Sequence, residues 1–181
     1  EITDFKQIQE KYIDDTSALY NQWKKQVKSL TALKENFTED DLQLPRFPGN
    51  IFGFENPSGN KVLTKHSFRH SYNALEIANI LSKPDTEKNN VIMEIGSGWG
   101  ATSVYLIKLL KNSKFVFIDL PEVNAIHSFF ISKTFPDKKI YFYNQDDTFE
   151  DALSQNDIVI LPSNLSSYPN YWKENSFDLI C

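Results

Sequence analysis

The spacing of apolar residues in the second half of the chain alternates between that of a strand and that of a helix. Short apolar runs predict five strands, at residues 91–95, 115–118, 140–143, 158–161 and 177–180. Helical spacing between these runs predicts helices over 100–111 and 122–134, and a weaker one at 148–155. The buried stripe of the 122–134 helix is predicted to be Val123, Ile126 and Phe130. Strands that alternate with helices of this length are typical of an α/β fold, in which a parallel sheet carries helices on its faces.

The first half of the chain has a helical pattern followed by an irregular one. Apolar positions at helical spacing predict a helix over residues 1 to about 35 and another over 67–81, which Pro84 ends. Residues 36–62 contain three prolines, three glycines and four phenylalanines, and this composition predicts an irregular connection. Such a stretch is either a lid that packs on its neighbours or a plain linker. We therefore divide the chain into an N-terminal helical extension with its loop, 1–66, and an α/β domain, 67–181.

Composition narrows the class of partner and compartment. With 19 basic and 24 acidic side chains the net charge is −5, which argues against nucleic acid because a phosphate-binding surface needs a basic excess. The single cysteine, Cys181, excludes an internal disulfide and fits a reducing compartment. No apolar run approaches the roughly 18 residues that a membrane span needs, and no signal-peptide pattern follows Glu1. These features predict a cytoplasmic protein, and the end of the sequence inside its last predicted strand leads us to expect a fragment.

Three of the six glycines stand in one strand-to-helix turn, Glu94-Ile-Gly-Ser-Gly-Trp-Gly100. Glycine lets a ligand approach the backbone, and the helix N-terminus that follows favours an anionic ligand group. Asp119 follows the next strand, 19 residues after Gly100. An acid at that place can accept hydrogen bonds from both hydroxyls of a ribose. The pattern therefore predicts a ligand that contains a nucleoside and an anionic group.

Two alternatives for this turn remain open on the residues alone. Gly96 to Ala101 also satisfies G-x-G-x-x-A, a form of the dinucleotide fingerprint, so an NAD-dependent oxidoreductase could use the same turn. The other alternative is a non-catalytic module that binds a cofactor or assembles through its N-terminal helix. Glu94, two residues before the first glycine, and the long N-terminal extension argue against the oxidoreductase.

The motifs resemble those of one enzyme class. Glu94-Ile-Gly-Ser-Gly-Trp-Gly100 resembles the first motif of class I S-adenosylmethionine-dependent methyltransferases, and Phe117-Ile-Asp-Leu-Pro-Glu122 resembles a segment of small-molecule O-methyltransferases. Together with Ile160-Leu-Pro-Ser-Asn164 and Ser176-Phe-Asp-Leu-Ile180, the pattern is most similar to bacterial sugar O-methyltransferases. The resemblance implies a Rossmann-like class I methyltransferase fold, C-terminally incomplete in this chain. It also implies O-methylation of a sugar or glycan hydroxyl, with S-adenosyl-L-methionine as methyl donor and S-adenosyl-L-homocysteine as product.

The resemblance further implies roles for single residues in a cofactor site. The backbone of Gly96, Ser97, Gly98 and Gly100 would line the methionine part, with Glu94 facing its amino group. Asp119 would bind the ribose hydroxyls and Leu120 would lie against the adenine. If the third strand is 158–161, Ser163 and Asn164 reach the adenine edge, and the Leu-Pro-Ser-Asn match favours this choice. If it is 140–143, the residues that reach the adenine edge are Asn144, Gln145 and Asp146. Trp99 is expected to pack against the neighbouring helix.

Methyl transfer to a hydroxyl also needs a base, and histidine is the commonest one. Of the three histidines, His70 is the candidate because it lies on the stripe of its helix, although a histidine beside an apolar stripe is usually a boundary residue with a satisfied side chain. His66 and His70 are four residues apart, but no third ligand accompanies them, so no metal site is predicted. In the resembled family a segment after the fourth strand helps to form the acceptor site, so the base could lie beyond residue 181. The expected partners are a small-molecule or glycan acceptor and a second copy of the chain, bound through the N-terminal helices.

Overall fold

The computed structural model describes residues 39–46, 54–55, 61–64, 66–81, 89–167 and 171–181, with five positions nearer the N-terminus. Those five positions are helical: Ser17, Ala18, Asn21, Gln22 and Lys25. The rest of the helix predicted over 1–35 lies outside the described residues, as do the phenylalanine side chains of the predicted lid or linker.

A small antiparallel sheet occupies part of the segment that we predicted to be irregular. Its strands are β1 (Leu44–Pro45), β2 (Phe54–Glu55) and β3 (Lys61–Leu63), in the order β1-β3-β2. Leu42, Leu44 and Val62 are buried in the main core. The prediction of an irregular connection over 36–62 was therefore wrong at these positions, because short strands are stabilised here by burial against the rest of the protein.

A five-stranded parallel sheet forms the centre of the described structure. Its strands are β4 (Val91–Ile95), β5 (Lys114–Asp119), β6 (Ile140–Phe142), β7 (Ile158–Pro162) and β8 (Leu179–Ile180). They lie in the order β6-β7-β5-β4-β8, and every neighbouring pair is parallel. All five strands were predicted, and the parallel sheet with its flanking helices confirms the predicted Rossmann-like α/β fold.

Over residues 66–181, the described part of the chain contains four α-helices: α1 (Ser67–Leu81), α2 (Ala101–Leu109), α3 (Pro121–Thr134) and α4 (Phe149–Gln155). Each confirms a predicted helix to within two residues. At the start of α1, Thr64 and Ser67 exchange hydrogen bonds between backbone N–H groups and hydroxyls, at 3.0 and 3.1 Å. Within the described residues, no helix has the length and apolar character that crossing a membrane requires.

Alternate residues of the central strands supply two cores, one on each face of the sheet. Phe115 and Phe117 of β5 pack with α1, α2 and α3, whereas Val116 and Ile118 pack with α4. Strands that are covered on both faces must be apolar along their whole length, and this is why β5 and β7 are continuous apolar runs in the sequence. Polar residues stand at the carboxyl ends of these strands, where Asp119 ends β5 and Ser163 follows β7.

Helix α3 presents a face to the sheet that matches our prediction only in part. Phe130 is buried as predicted, but Ile126 was expected inside and its side chain is 62% exposed. The buried positions are Asn124, His127, Phe130 and Ile131. Two of them are polar, and each has a hydrogen-bond partner supplied by another part of the fold, so the pattern of apolar residues alone misplaced this face.

Candidate functional site

The glycine-rich turn connects β4 to α2 at the carboxyl edge of the sheet. β5 lies on one side of β4 and β8 on the other, so the chain reverses its direction of strand addition here. Ligands of open α/β sheets bind outside the carboxyl ends of the strands at such a point. The N–H of Gly96 donates to the carbonyl of Ile118 at 2.8 Å, and this bond fixes the turn to β5.

The turn has an open side and a packed side. Gly96 and Gly98 have positive φ angles of 75° and 58°, and no described atom lies within 4 Å of where a Cβ would project from either. Gly100, with a φ of 97°, differs, because a Cβ there would lie 2.7 Å from the ring of His127. Gly96 and Gly98 therefore leave room for a ligand, whereas Gly100 leaves room for a protein side chain.

Asp119 ends β5 and lies against the turn. Its Oδ2 accepts a hydrogen bond from the N–H of Gly98 at 2.7 Å, and its Oδ1 accepts one from the N–H of Leu120, also at 2.7 Å. A carboxylate offers about four acceptor positions, so two remain for ligand hydroxyls. Leu120 follows with a side chain that is 51% exposed and provides an apolar surface beside the carboxylate.

The neighbour of β5 decides which strand is the third. β7 pairs directly with β5, and Asp119 is aligned with Pro162. Ser163 and Asn164 therefore follow directly after the residue that is aligned with Asp119, and their contact with the adenine stays a prediction. β6 is separated from β5 by β7, so Asn144, Gln145 and Asp146 begin one strand farther from Asp119.

Glu94 is the second acid of the site. Its Oε2 accepts a hydrogen bond from the hydroxyl of Ser103 at 2.8 Å. Burial raises the pKa of Glu94 to about 7. The hydrogen bond from Ser103 lowers this pKa, and the nearby negative charge of Asp119 raises it. The two acids make this edge of the sheet attractive to a cationic group, which would favour the ionised form of Glu94.

His70 lies on α1 beside the first turn of α2. Its Nδ1 is 2.7 Å from the hydroxyl oxygen of Thr102. Burial lowers the pKa of His70 to about 4, with Arg69 and His66 adding to the effect, so the imidazole is neutral at pH 7 but is a weaker proton acceptor than a free histidine. Its role as the base stays a prediction. Among the described residues, no three histidine, cysteine, aspartate or glutamate side chains converge as metal ligands would.

Residues 33–171, about three quarters of the chain, match the sequence pattern of the O-methyltransferase domain family. The chain belongs to this family. The methyl donor that the family uses is S-adenosylmethionine. The glycine-rich turn and the strands β4 to β7 of this chain therefore lie within an O-methyltransferase domain.

Among solved structures, this O-methyltransferase domain is similar to coclaurine N-methyltransferase, crystallised with N-methylheliamine and S-adenosylhomocysteine. The two share 9% identity with a TM-score of 0.40, and the match covers 99% of this chain and 49% of that one. The chain thus spans about half the length of that protein. No curated protein matches the chain by sequence.

The residues of this O-methyltransferase domain fit the donor of its family. The open side of the turn accommodates a ligand at Gly96 and Gly98, and Asp119 retains acceptor positions for two ribose hydroxyls. The cofactor carries an ammonium and a sulfonium, and the acids Glu94 and Asp119 match that positive charge. An apolar cleft of about 240 Å³ lies between α3 and the ends of β6 and β7, and Pro121, Phe142 and Pro162 are among the residues that line it.

The sequence analysis of this O-methyltransferase domain did not identify two polar residues of α3 that contact the site. The Nδ2 of Asn124 donates to the carbonyls of Asp119 and Leu161, at 3.1 and 2.8 Å, and so connects the ends of β5 and β7. His127 bonds the side chain of Ser97 in the turn. The only signal in the sequence was the polar character of both positions within a helix flanked by apolar residues.

The ring of Trp99 confirms the expectation for that residue. It packs edge-on against Phe130 of α3, with the ring centroids 5.1 Å apart. The side chain thereby fastens the middle of the turn to α3, while the glycines on either side of it shape the turn.

Proposed function

We propose that this protein transfers a methyl group from S-adenosylmethionine to a hydroxyl group of a sugar or glycan. The observation that carries the proposal is the carboxylate of Asp119 against the open glycine-rich turn, within a domain of the O-methyltransferase family. The sugar acceptor is supported by the resemblance of Phe117-Ile-Asp-Leu-Pro-Glu122 and Ile160-Leu-Pro-Ser-Asn164 to sugar O-methyltransferases.

Different residues of the proposed site bind different parts of the cofactor. The backbone of Gly96, Ser97, Gly98 and Gly100 lines the methionine part, and Glu94 faces its ammonium. Asp119 accepts hydrogen bonds from the ribose hydroxyls. Leu120, Ser163 and Asn164 surround the adenine. This division is supported by their common place at the carboxyl ends of β4, β5 and β7.

The bound cofactor supplies an electrophilic methyl group on a sulfonium. The chain contributes by holding the reacting atoms in line and by removing the proton of the acceptor hydroxyl. His70 is our candidate for the proton acceptor, because its Nδ1 lies 2.7 Å from the hydroxyl oxygen of Thr102. In the tautomer in which Nδ1–H donates to that oxygen, Nε2 is the basic nitrogen. With a pKa of about 4 its imidazole is neutral at pH 7 and is a weaker base than a free histidine, so the support for this role is its position and not its basicity.

Calorimetric titration with S-adenosylhomocysteine and, separately, with NAD tests the cofactor. We expect a micromolar Kd for S-adenosylhomocysteine and no heat of binding with NAD. Binding of NAD alone would contradict the proposal and favour an oxidoreductase. The acceptor is tested by incubating the protein and S-adenosylmethionine with monosaccharides, glycans and catechols, followed by mass spectrometry. Methylation of catechols without methylation of any sugar would overturn the sugar acceptor.

Cofactor binding is expected to weaken in mild acid because of Glu94. The pKa of Glu94 is about 7 in the ligand-free protein, and a bound ammonium favours its ionised form. As the pH falls below that value, a proton must leave before the ammonium binds. We therefore expect the Kd of S-adenosylhomocysteine to rise about tenfold between pH 8 and pH 6.

The matched control for this pH effect is Glu94→Gln, which keeps the shape of the side chain but does not titrate. Its affinity at pH 8 should be lower than that of the wild type, and its Kd should vary by less than about twofold over the same range. A wild-type Kd that is independent of pH, or a Gln variant with the wild-type slope, would show that Glu94 does not control binding.

A further inference from the structure

His127 is a fully buried polar side chain directly behind the glycine-rich turn. Its exposed fraction is 0%, and its Nδ1 lies 2.8 Å from the hydroxyl oxygen of Ser97, whose exposed fraction is 6%. On its other side the imidazole packs against the ring of Phe117, with centroids 4.8 Å apart. The histidine thus joins the middle of α3 to a side chain of the turn, 30 residues earlier in the chain.

Burying this polar pair contributes less to the free energy of folding than burying an apolar pair of the same size would. Burying an imidazole and a hydroxyl removes both from water, and one hydrogen bond returns only part of that free energy. The Nε2 of His127 is buried and has no hydrogen-bond partner among the described residues. Packing alone would be served better by an apolar pair, so the value of the histidine lies in the direction that its hydrogen bond imposes on Ser97.

The turn is held from both sides at successive residues. On the open side of the turn, the carboxylate of Asp119 accepts a hydrogen bond from the N–H of Gly98. On the packed side, the Nδ1 of His127 is hydrogen-bonded to the hydroxyl of Ser97. The carbonyl of Ser97 in turn accepts the N–H of Gly100 at 3.1 Å. Because Gly100 has no Cβ, the imidazole approaches the backbone closely enough to act as a support for the whole turn.

We infer that His127 is a positioning residue for cofactor binding, which holds the glycine-rich turn in its binding conformation through the Ser97 hydroxyl without touching the cofactor. The inference rests on the proposed function, since the ligand of the turn is S-adenosylmethionine there. Burial lowers the pKa of His127 to about 4, although the negative charge of Asp119 acts in the opposite direction. The imidazole is therefore neutral at pH 7, and its hydrogen bond to Ser97 is one between two neutral groups.

A double-mutant cycle on affinity separates positioning from packing. The variants are His127→Leu, Ser97→Ala and the two combined, with the Kd of S-adenosylhomocysteine measured by calorimetry. Each single variant should weaken binding about tenfold, the equivalent of one buried hydrogen bond. The double variant should be no weaker than either single one, because the same interaction is lost in all three.

The rescue variant is His127→Asn, whose amide places a polar atom near the position of Nδ1. It should bind within about threefold of the wild type if the hydrogen bond to Ser97 is what matters. Hydrogen exchange of the turn in the ligand-free protein gives a second readout. The Gly98 and Gly100 amides should exchange about tenfold faster in His127→Leu and Ser97→Ala than in the wild type or the Asn variant.

The outcomes distinguish the inference from the proposed function. A wild-type protein that binds no S-adenosylhomocysteine would overturn the proposed function and the cofactor role of His127 with it. A wild type that binds, beside a Ser97→Ala variant of equal affinity, would overturn the inference alone. An Asn variant as weak as the Leu variant, or additive losses in the double variant, would also overturn it by assigning His127 a packing role. Ser97→Ala removes a single oxygen, so it keeps the test decisive even where His127→Leu fails to fold.

Discussion

Replacing Asp119 by alanine is expected to weaken the binding of S-adenosylhomocysteine at least a hundredfold while the protein remains folded. The substitution removes the acceptor of two ribose hydroxyls, and a hydrogen bond to a charged group contributes about 1.5–3 kcal/mol. It also frees the N–H of Gly98 from Oδ2. The two losses act on the same ligand, because the turn and the carboxylate bind adjoining parts of it. Calorimetry at pH 8, where Glu94 is mostly ionised, measures the change.

The control for this substitution is Asp119→Asn, which preserves the volume and one acceptor oxygen but loses the charge. Its affinity should lie between those of the wild type and the alanine variant. The melting temperature should fall in both variants, and further in the alanine variant, because alanine loses the hydrogen bonds from the N–H groups of both Gly98 and Leu120 whereas asparagine keeps one acceptor oxygen. Unchanged affinity in Asp119→Ala would show that this carboxylate does not bind the ribose.

Replacing Gly100 by alanine is expected to destabilise the fold more than any other single-methyl addition in the turn. The new Cβ would lie 2.7 Å from Cδ2 and 2.9 Å from Nε2 of His127, and 3.3 Å from Ile131. The φ angle of 97° adds backbone strain to this overlap. The free energy of unfolding should fall by about 2–5 kcal/mol, which corresponds to a loss of roughly 5–15 °C in melting temperature.

Gly98→Ala is the matched control for Gly100→Ala. It adds the same methyl group at a φ of 58°, and no described atom lies within 4 Å of the added Cβ. Only the cost of the left-handed conformation remains, about 1–2 kcal/mol. Equal melting temperatures for the two variants, measured without ligand, would mean that His127 moves aside freely and does not support the turn.

The central sheet was predictable because strands buried on both faces leave a strong signal. β5 and β7 contain continuous apolar runs, β4 is apolar except for Glu94, and the apolar residues of the helices between them recur at helical spacing. The small sheet of β1, β2 and β3 left no such signal. Its strands have only two or three residues, and what stabilises them is contact with helices far along the chain.

The candidate site was predictable where its residues are close in sequence and hidden where they are not. The glycine-rich turn and the acid after the next strand follow from spacing alone. The contacts of Asp119 with Gly98 and of His127 with Ser97 join residues 21 and 30 positions apart. The spacing of apolar residues placed Ile126 on the buried face of α3. That spacing does not detect a buried histidine, because the hydrogen-bond partner of the histidine lies in another element.

The hydroxyl of Tyr105 on α2 donates to the carbonyl of Leu42 at 2.8 Å, across 63 residues of chain. Lys108 on the same helix donates to the carbonyls of Asp41 and Gln43. On a ribosome, the segment around Leu42 is therefore made long before the helix that satisfies its carbonyls and covers its leucines. That segment can therefore complete these contacts only after α2 has been synthesised, and α2 is also the helix that the cofactor turn precedes.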